Sequence, residues 1–245
     1  MPKFFISKDN INKDDLTAFI EGDDARHIAR SLRMAVGDGI VISDGEGEEY
    51  SARLDRIRDE RCELSLTERL EIKTEPRTEI TLFMAYPKSD KLETVIQKAT
   101  ELGVSRIVPF ESSRCIKRPP KDKAKERTAR LQRIAEEAAK QCGRARIPTV
   151  EECTVLRDVV SRMKDFDIPL FCYEGRGTEP LKAHIKGKSP ATVAIVVGSE
   201  GGFSEAEAEE FSLAGAKMTG LGARILRCET APDYVLAALS YEFEL

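Results

Sequence analysis

The spacing of apolar residues along the chain changes near residue 79. Before it, Tyr50, Ala52 and Leu54, then Cys62, Leu64 and Leu66, alternate with polar residues. That is the period of strands with one buried face. Phe4, Phe5 and Ile6 form a short apolar strand, and Ile40–Ser43 another, followed by an Asp44-Gly45 turn. Between them, Ala25, Ile28 and Leu32 share one face of an expected helix over Ala25–Met34, with Asp23 and Asp24 as cap and first-turn acids. Arg26, Arg30 and Arg33 fall on its opposite face. Short antiparallel strands joined by Gly-rich turns predict a small β-barrel. Glu71–Thr78 contains Pro76 and few large apolar residues. It reads as a linker and sets the expected domains at 1–72 and 73–245.

From Glu79 strands alternate with helices. Ile80–Tyr86 reads as a strand. Asp90 and Glu93 then form a D-x-x-E start signal for a helix with the stripe Leu92, Val95, Ile96, Ala99 and Leu102, stopped by Gly103. Arg106–Phe110 is a strand; Leu131, Ile134, Ala135, Ala138 and Cys142 mark a second helix ending near Gly143; Val155–Met163 is a third. Pro169–Tyr173 and Ala191–Val197 read as buried strands. Ser204 and Glu207 form a capping box, and Thr230–Leu239 closes the chain as a helix. This alternation predicts an α/β domain with a parallel sheet covered on both faces.

Composition narrows the function classes. The chain has 245 residues, long for one domain, and 41% hydrophobic residues, enough for a sizeable core. No apolar run reaches the roughly 18–20 residues of a membrane helix. The N-terminus MPKFFISKDN meets Asn and Asp too early for a secretion signal. Six cysteines without a C-x-x-C pair then read as reduced thiols of a cytoplasmic protein. His27 and His184 are the only histidines, too few for a zinc site or a serine-hydrolase triad. The formal net charge is −4, yet Ser112–Arg146 holds twelve Lys or Arg, including Arg114, Lys117, Arg118 and Arg144, against four acids. Such a segment either attracts a polyanion or solubilises a helix face.

Three stretches carry candidate chemistry. Gly198-Ser199-Glu200-Gly201-Gly202 follows an apolar strand and enters the capped helix. Its glycines permit close backbone approach to a ligand, but it matches neither the P-loop nor G-x-G-x-x-G. Leu221–Ala231, sequence LGARILRCETA, sets Arg224 and Arg227 before Glu229 and Thr230 at a helix start. Arg227 there can pair with Glu229 or reach a phosphate. Glu136–Arg144, sequence EEAAKQCGR, ends the basic helix with Gln141, Gly143 and Arg144.

Together with KSDKLETVIQKATELGV (Lys88–Val104), these stretches resemble the bacterial 16S ribosomal-RNA uridine-N3 methyltransferase family of the SPOUT superfamily. The N-terminal DARHIARSLRMAVGD is similar to that family's PUA-like RNA-binding barrel, so the resemblance spans nearly the whole chain. The chain departs from the family's pattern at Ser199 and Ala223, where Pro is usual, at Cys142 and Cys228, and at Pro232 and Asp233.

The resemblance implies a C-terminal trefoil-knotted methyltransferase domain that uses S-adenosylmethionine and no metal. It implies cofactor contacts at Tyr173, Gly198, Ser199, Glu200, Gly201, Gly202, Leu221, Gly222, Ile225, Leu226, Thr230 and Ala231. Catalysis is expected from Arg227, which stabilises a uracil N3 anion, and from Glu229; Glu229 and Glu200 both remain open as proton acceptor. RNA contacts are expected at Arg26, Arg30, Arg33, Arg114, Lys117, Arg118, Gln141 and Arg144. The family forms homodimers through its catalytic domain, and the stripe Val235, Leu236, Leu239 and Phe243 reads as that interface or as core. The implied partner is 16S ribosomal RNA in the small subunit. A knotted enzyme acting on a ribose 2′-hydroxyl and a noncatalytic RNA-binding assembly factor are the competing readings.

Overall fold

A computed structural model describes residues 1–58, 60–88, 90–116 and 123–245. The chain forms two compact units. The first comprises Met1–Glu75 with Ala139–Ile147, the second Pro76–Ala138 with Pro148–Leu245.

The first unit is a six-stranded sheet. Its strands are β1 (Lys3–Phe5), β2 (Ile11–Asn12), β3 (Thr17–Glu21), β4 (Gly39–Ser43), β5 (Glu49–Ile57) and β6 (Arg61–Arg69), in the order β1-β4-β5-β6-β3-β2. Only β1 and β4 run parallel. Period-two burial puts Ile20, Ile40, Ile42, Ala52, Leu54, Cys62 and Leu64 in one core, and irregularities at Ser51/Ala52 and Leu54/Arg56 help bend the long β5–β6 pair. The predicted barrel is thus a curled sheet, with β1 and β2 as its edges.

The expected helix is two short pieces, α1 (Gly22–Arg26) and a π-helical turn, His27–Ser31. Its N-cap is Glu21, without a side-chain cap bond, so Asp23 and Asp24 serve only as first-turn acids. Ala25 and Ile28 are buried, whereas Leu32 lies past the last turn, 41% exposed, where Arg33 takes φ of 50°.

The second unit is an eight-stranded parallel sheet. Its strands are β7 (Glu79–Ala85), β8 (Arg106–Glu111), β9 (Thr149–Val150), β10 (Thr154–Val155), β11 (Ile168–Cys172), β12 (Glu179–Pro180), β13 (Thr192–Val197) and β14 (Lys217–Gly220). The order is β10-β8-β7-β13-β11-β14-β12, with β9 beside β8. The helices are α2 (Lys91–Glu101), α3 (Ala124–Cys142), α4 (Leu156–Arg162), α5 (Leu181–Ile185), α6 (Glu205–Leu213) and α7 (Thr230–Phe243).

The central strands read as unbroken apolar runs because both faces are covered. Along β7, Ile80, Leu82 and Met84 meet α2, α3, α5 and α7, while Phe83 and Ala85 meet α4 and α6. Each large apolar side chain so buried contributes roughly 1.5–3 kcal/mol. Of the stripe expected on α7, Val235, Leu236 and Leu239 belong to this core, and Phe243 packs half-buried against it. The start signal at Asp90 is corrected in detail: Asp90 is the N-cap but makes no side-chain cap bond, and Glu93 pairs instead with Arg130 at 2.9 Å.

Among the described residues, no helix is long and apolar enough to cross a membrane, and no cluster of three or more His, Cys, Asp or Glu is placed to hold a metal ion.

Candidate functional site

Three loops leave the carboxyl ends of β11, β13 and β14, where parallel α/β sheets form their ligand crevices. The loop after β13 is shaped by glycine. Gly202 has φ of 62° and its N–H donates to Ser199 O at 2.9 Å, closing a tight turn. A Cβ on Gly198 would lie 3.1 Å from Gly202 Cα, so only glycine fits there without displacement.

The turn is anchored by its neighbours. Phe203 is buried, its ring 4.6 Å from that of Phe171. Ser204 caps α6 with the expected box: its side chain accepts the Glu207 N–H, and Glu207 accepts the Ser204 N–H at 2.8 Å. Glu207 also accepts the Ser113 N–H at 2.7 Å. Burial opposes charge on Glu207, but these N–H donors outweigh it and hold the carboxyl below the usual range.

After β14 the chain turns at Gly222, with φ of 104°, and runs to α7. There the N–H groups of Thr230 and Ala231 donate to the Arg227 carbonyl at 2.9 and 3.0 Å. Pro232 sits in the first turn of α7, where the N–H it lacks has no intrahelical acceptor to lose. From β11 come Cys172, Tyr173 and Glu174, and the Tyr173 N–H donates to Thr219 O at 3.0 Å.

These loops enclose one cleft of about 570 Å³. Of the residues expected at the cofactor, Tyr173, Gly198, Ser199, Glu200, Gly202, Leu221, Gly222, Ile225, Leu226 and Ala231 line it. Gly201 and Thr230 do not. Gly201 turns toward Arg114, whose Nη1 donates to the Gly201 carbonyl at 3.2 Å, and Thr230 forms the helix start. A smaller cleft of about 350 Å³ lies at β7, β8 and β10 and contains none of the expected cofactor residues.

Arg227 lines the main cleft and is exposed; among the described residues it has no ion-pair partner. Glu229 does not pair with it. Lys91, the first residue of α2, takes that place, 3.2 Å from Glu229 and 3.0 Å from Glu200. The bond to Glu200 first, then that to Glu229, raises the Lys91 pKa. Both carboxyls sit below the usual range: partial burial opposes their charge, but each one's own backbone N–H and the Lys91 ammonium prevail. Burial first, then the bond to Glu229, pushes the Cys228 thiol up to about 12.

Among the lining residues that sequence reasoning did not name are Lys91, Glu174, Thr178, Phe203, Arg224 and Cys228. Arg224 and Cys228 lie inside a flagged motif and Lys91 inside KSDKLETV, so the signal was present without a direction.

The expected RNA contacts divide. Arg26, Arg30, Arg33, Arg114 and Gln141 are exposed; Lys117 and Arg118 lie outside the described residues. Arg144 is corrected: it is 4% exposed and its guanidinium pairs with Glu75 at 2.8 Å. Lys3 donates to the carbonyls of Gly143 and Arg144 at 3.1 and 2.5 Å, and Ser43 to Ala145 O at 3.0 Å. The QCGR stretch therefore seats the end of α3 within the first unit. Much of the remaining basic charge on α3 is also engaged: Arg127 lies over the Tyr86 ring, Arg130 pairs with Glu93 and Lys140 with Asp24.

Comparison with known proteins agrees with this architecture. A family model described as an RNA methyltransferase domain matches residues 73–240, and one described as an RNA methyltransferase PUA domain matches residues 20–67. Ribosomal RNA small subunit methyltransferase E of Bacillus subtilis is 34% identical, over 100% of this chain and 98% of its own length. The Neisseria gonorrhoeae protein of the same name, solved bound to S-adenosyl methionine, superposes with a TM-score of 0.85 at 32% identity, covering 98% of this chain and 97% of the other. A Legionella pneumophila methyltransferase solved with bound cofactor SAM gives 0.84 at 26% identity, over 98% and 96%. By the span of both family models and its likeness to these relatives along their whole length, the chain belongs to the RNA methyltransferase family with an N-terminal PUA domain that includes ribosomal RNA small subunit methyltransferase E.

Proposed function

We propose that this protein methylates N3 of a uridine in 16S ribosomal RNA, with S-adenosylmethionine as methyl donor. The observation that carries the reading is the three-loop cleft lined by Arg227, which has no ion-pair partner among the described residues.

The residues present fit the donor. Ser199 is 6% exposed and its Oγ has no hydrogen-bond partner among the described residues, so a polar ligand atom satisfies it. Gly175 packs so closely on Tyr173 that a Cβ would lie 2.3 Å from the ring, leaving the aromatic wall of the cleft with a fixed backing. Val197, Phe203, Leu221 and Leu226 give apolar surface for an adenine. Tyr173, Ser199, Gly202, Leu221, Leu226 and Ala231 hold the donor.

When bound, that donor supplies an electrophilic methyl group, so the protein's task is to position the nucleophile and free its electron pair. The uracil N3 is an imide nitrogen that carries its proton at neutral pH. The Arg227 guanidinium favours the N3 anion and lowers the barrier to deprotonation. Glu200 or Glu229 accepts the proton.

The remaining expectations join this proposal. Residues 1–72 act as an RNA-binding domain and 73–245 as a knotted catalytic domain. Arg26, Arg30, Arg33, Arg114 and Gln141 contact the RNA backbone, which positions the duplex around an unstacked target base. The enzyme works as a homodimer in the cytoplasm. With Val235, Leu236 and Leu239 buried in the core, the exposed Tyr234 and Tyr241 of α7 and the half-buried Phe243 are large side chains open to that contact.

The test is mass mapping of ribosomal RNA nucleosides from cells with and without the gene. Loss of one 3-methyluridine from the small-subunit RNA supports the reading. Loss of a 2′-O-methylated nucleoside, or no loss, overturns it.

A further inference from the structure

Lys91 stands where three loops meet. It opens α2, after the β7–α2 loop, and its ammonium reaches Glu200 of the β13–α6 loop at 3.0 Å and Glu229 at the head of α7 at 3.2 Å. The Lys88 N–H adds bonds to both Glu200 oxygens at 3.3 Å. Cys228 Sγ donates to Glu229 at 3.2 Å and lies 4.0 Å from the Lys91 nitrogen. Lys91 and Glu200 line the cleft directly, whereas Glu229 stands just behind it.

We propose that Lys91 is a positioning residue, which ties the glycine turn to the arm before α7 so that both walls of the cleft are set together, and which aims the two carboxylates. The inference rests on the reading that this cleft holds the methyl donor. A single ammonium between the ends of two loops fixes their separation, and among the described residues no other cation bridges Glu200 and Glu229.

The charge count gives the cluster a second property. One cation faces two carboxylates, so the group carries a net charge of about −1 and has room for one proton. When the N3–H bond breaks, its electron pair stays on N3 and the proton forms an O–H bond on one carboxylate. The other carboxylate keeps its pair with Lys91, so the cluster becomes neutral and the loops stay tied. The depressed pKa values of both carboxyls agree with this arrangement, since each is held ionised before the proton arrives.

The experiment uses the full-length protein and four variants: Lys91→Met, Lys91→Arg, Glu200→Gln and the Lys91→Met/Glu200→Gln double variant. Calorimetry gives the Kd for S-adenosylmethionine, thermal melting reports folding, and single-turnover methylation of small-subunit RNA is followed against pH. Lys91→Met is expected to melt within a few degrees of the parent, bind the donor about 10-fold more weakly, and show an acid limb moved to higher pH. Lys91→Arg is expected to restore affinity to within about 3-fold. Glu200→Gln is expected to add little on top of Lys91→Met, because both cut the same tie.

Unchanged affinity together with an unmoved acid limb in a folded Lys91→Met, or strictly additive effects in the double variant, overturns the proposal. A parent protein that does not bind the donor overturns the proposal and the reading of the cleft together. A parent that binds donor but leaves uridine unmethylated overturns only the proposed reaction, and the affinity cycle still decides the tie.

Discussion

Arg144 donates to a Glu75 carboxylate oxygen at 2.8 Å, with side chains only 5% and 12% exposed. The other Glu75 oxygen accepts the backbone N–H groups of Ala145 and Arg146 at 2.8 and 3.1 Å. One carboxylate thus seats the segment after α3 in the first unit. Removing one partner of a closed pair strands the other charge, at a cost of about 3–5 kcal/mol. Glu75→Ala and Arg144→Ala are each expected to lower stability by roughly 3 kcal/mol, read by urea denaturation of the full chain. A loss below about 0.5 kcal/mol, the scale of an exposed pair, contradicts this account.

The backing of Tyr173 is open to a small steric test. Alanine at Gly175 would put its Cβ 2.3 Å from the Tyr173 ring, so the ring must leave its place. Donor affinity of Gly175→Ala is expected to fall about 10-fold, a difference of about 1.4 kcal/mol, with little change in melting temperature. Equal affinity measured by calorimetry removes Tyr173 from the cleft wall.

Arg227 offers a separation of binding from chemistry. Its side chain is unpaired among the described residues and is assigned to the N3 anion, not to the donor. Arg227→Ala is expected to slow single-turnover methylation on the order of 10²-fold, the range found for removing one oxyanion donor. Donor Kd should stay within about 3-fold. Full turnover in the variant defeats the assignment.

The capping box carries a pH signature. Glu207 has a folded-state pKa held below its unfolded value of about 4.3. A depressed carboxyl stabilises the fold above the unfolded pKa, and that contribution fades as pH falls through the folded value. Glu207→Gln is expected to cost roughly 0.5–2 kcal/mol at pH 7, and the difference from the parent should close as pH drops below about 4. Melting curves at pH 7, 5 and 3.5 check this, and a gap that widens toward acid contradicts it.

How much was readable in advance follows from the range of each interaction. The apolar run Ile80–Tyr86, the stripe on α2 and the Ser204/Glu207 box are set by neighbours within a few residues, and each appears in the structure where its pattern placed it, the strand within one residue at either end. The motifs GSEGGFS and LGARILRCETA also marked most of the cleft, because glycine at positions such as Gly202 and Gly222 answers a local backbone demand. One short-range signal failed where a tertiary partner replaced the local one, and another where the backbone itself turned. Glu93 turned from its expected cap to Arg130, and the helix predicted through Met34 ended early at a left-handed Arg33.

The sequence by itself determined the longer strands and helices, the two cores and the glycine turns, since periodicity and φ preference act along the chain, but not short elements such as β3, α5 and β14, whose few residues carry no clear period. Only the tertiary structure decided the charge partners. Lys91 meets Glu200 and Glu229, leaving Arg227 free of them, and Arg144 turns inward to Glu75 rather than out to RNA. A charged side chain looks the same in sequence whether it faces solvent or a carboxylate. Which of these it meets depends on the parallel sheet bringing together the loops after β7, β13 and β14, and on the end of α3 settling into the first unit.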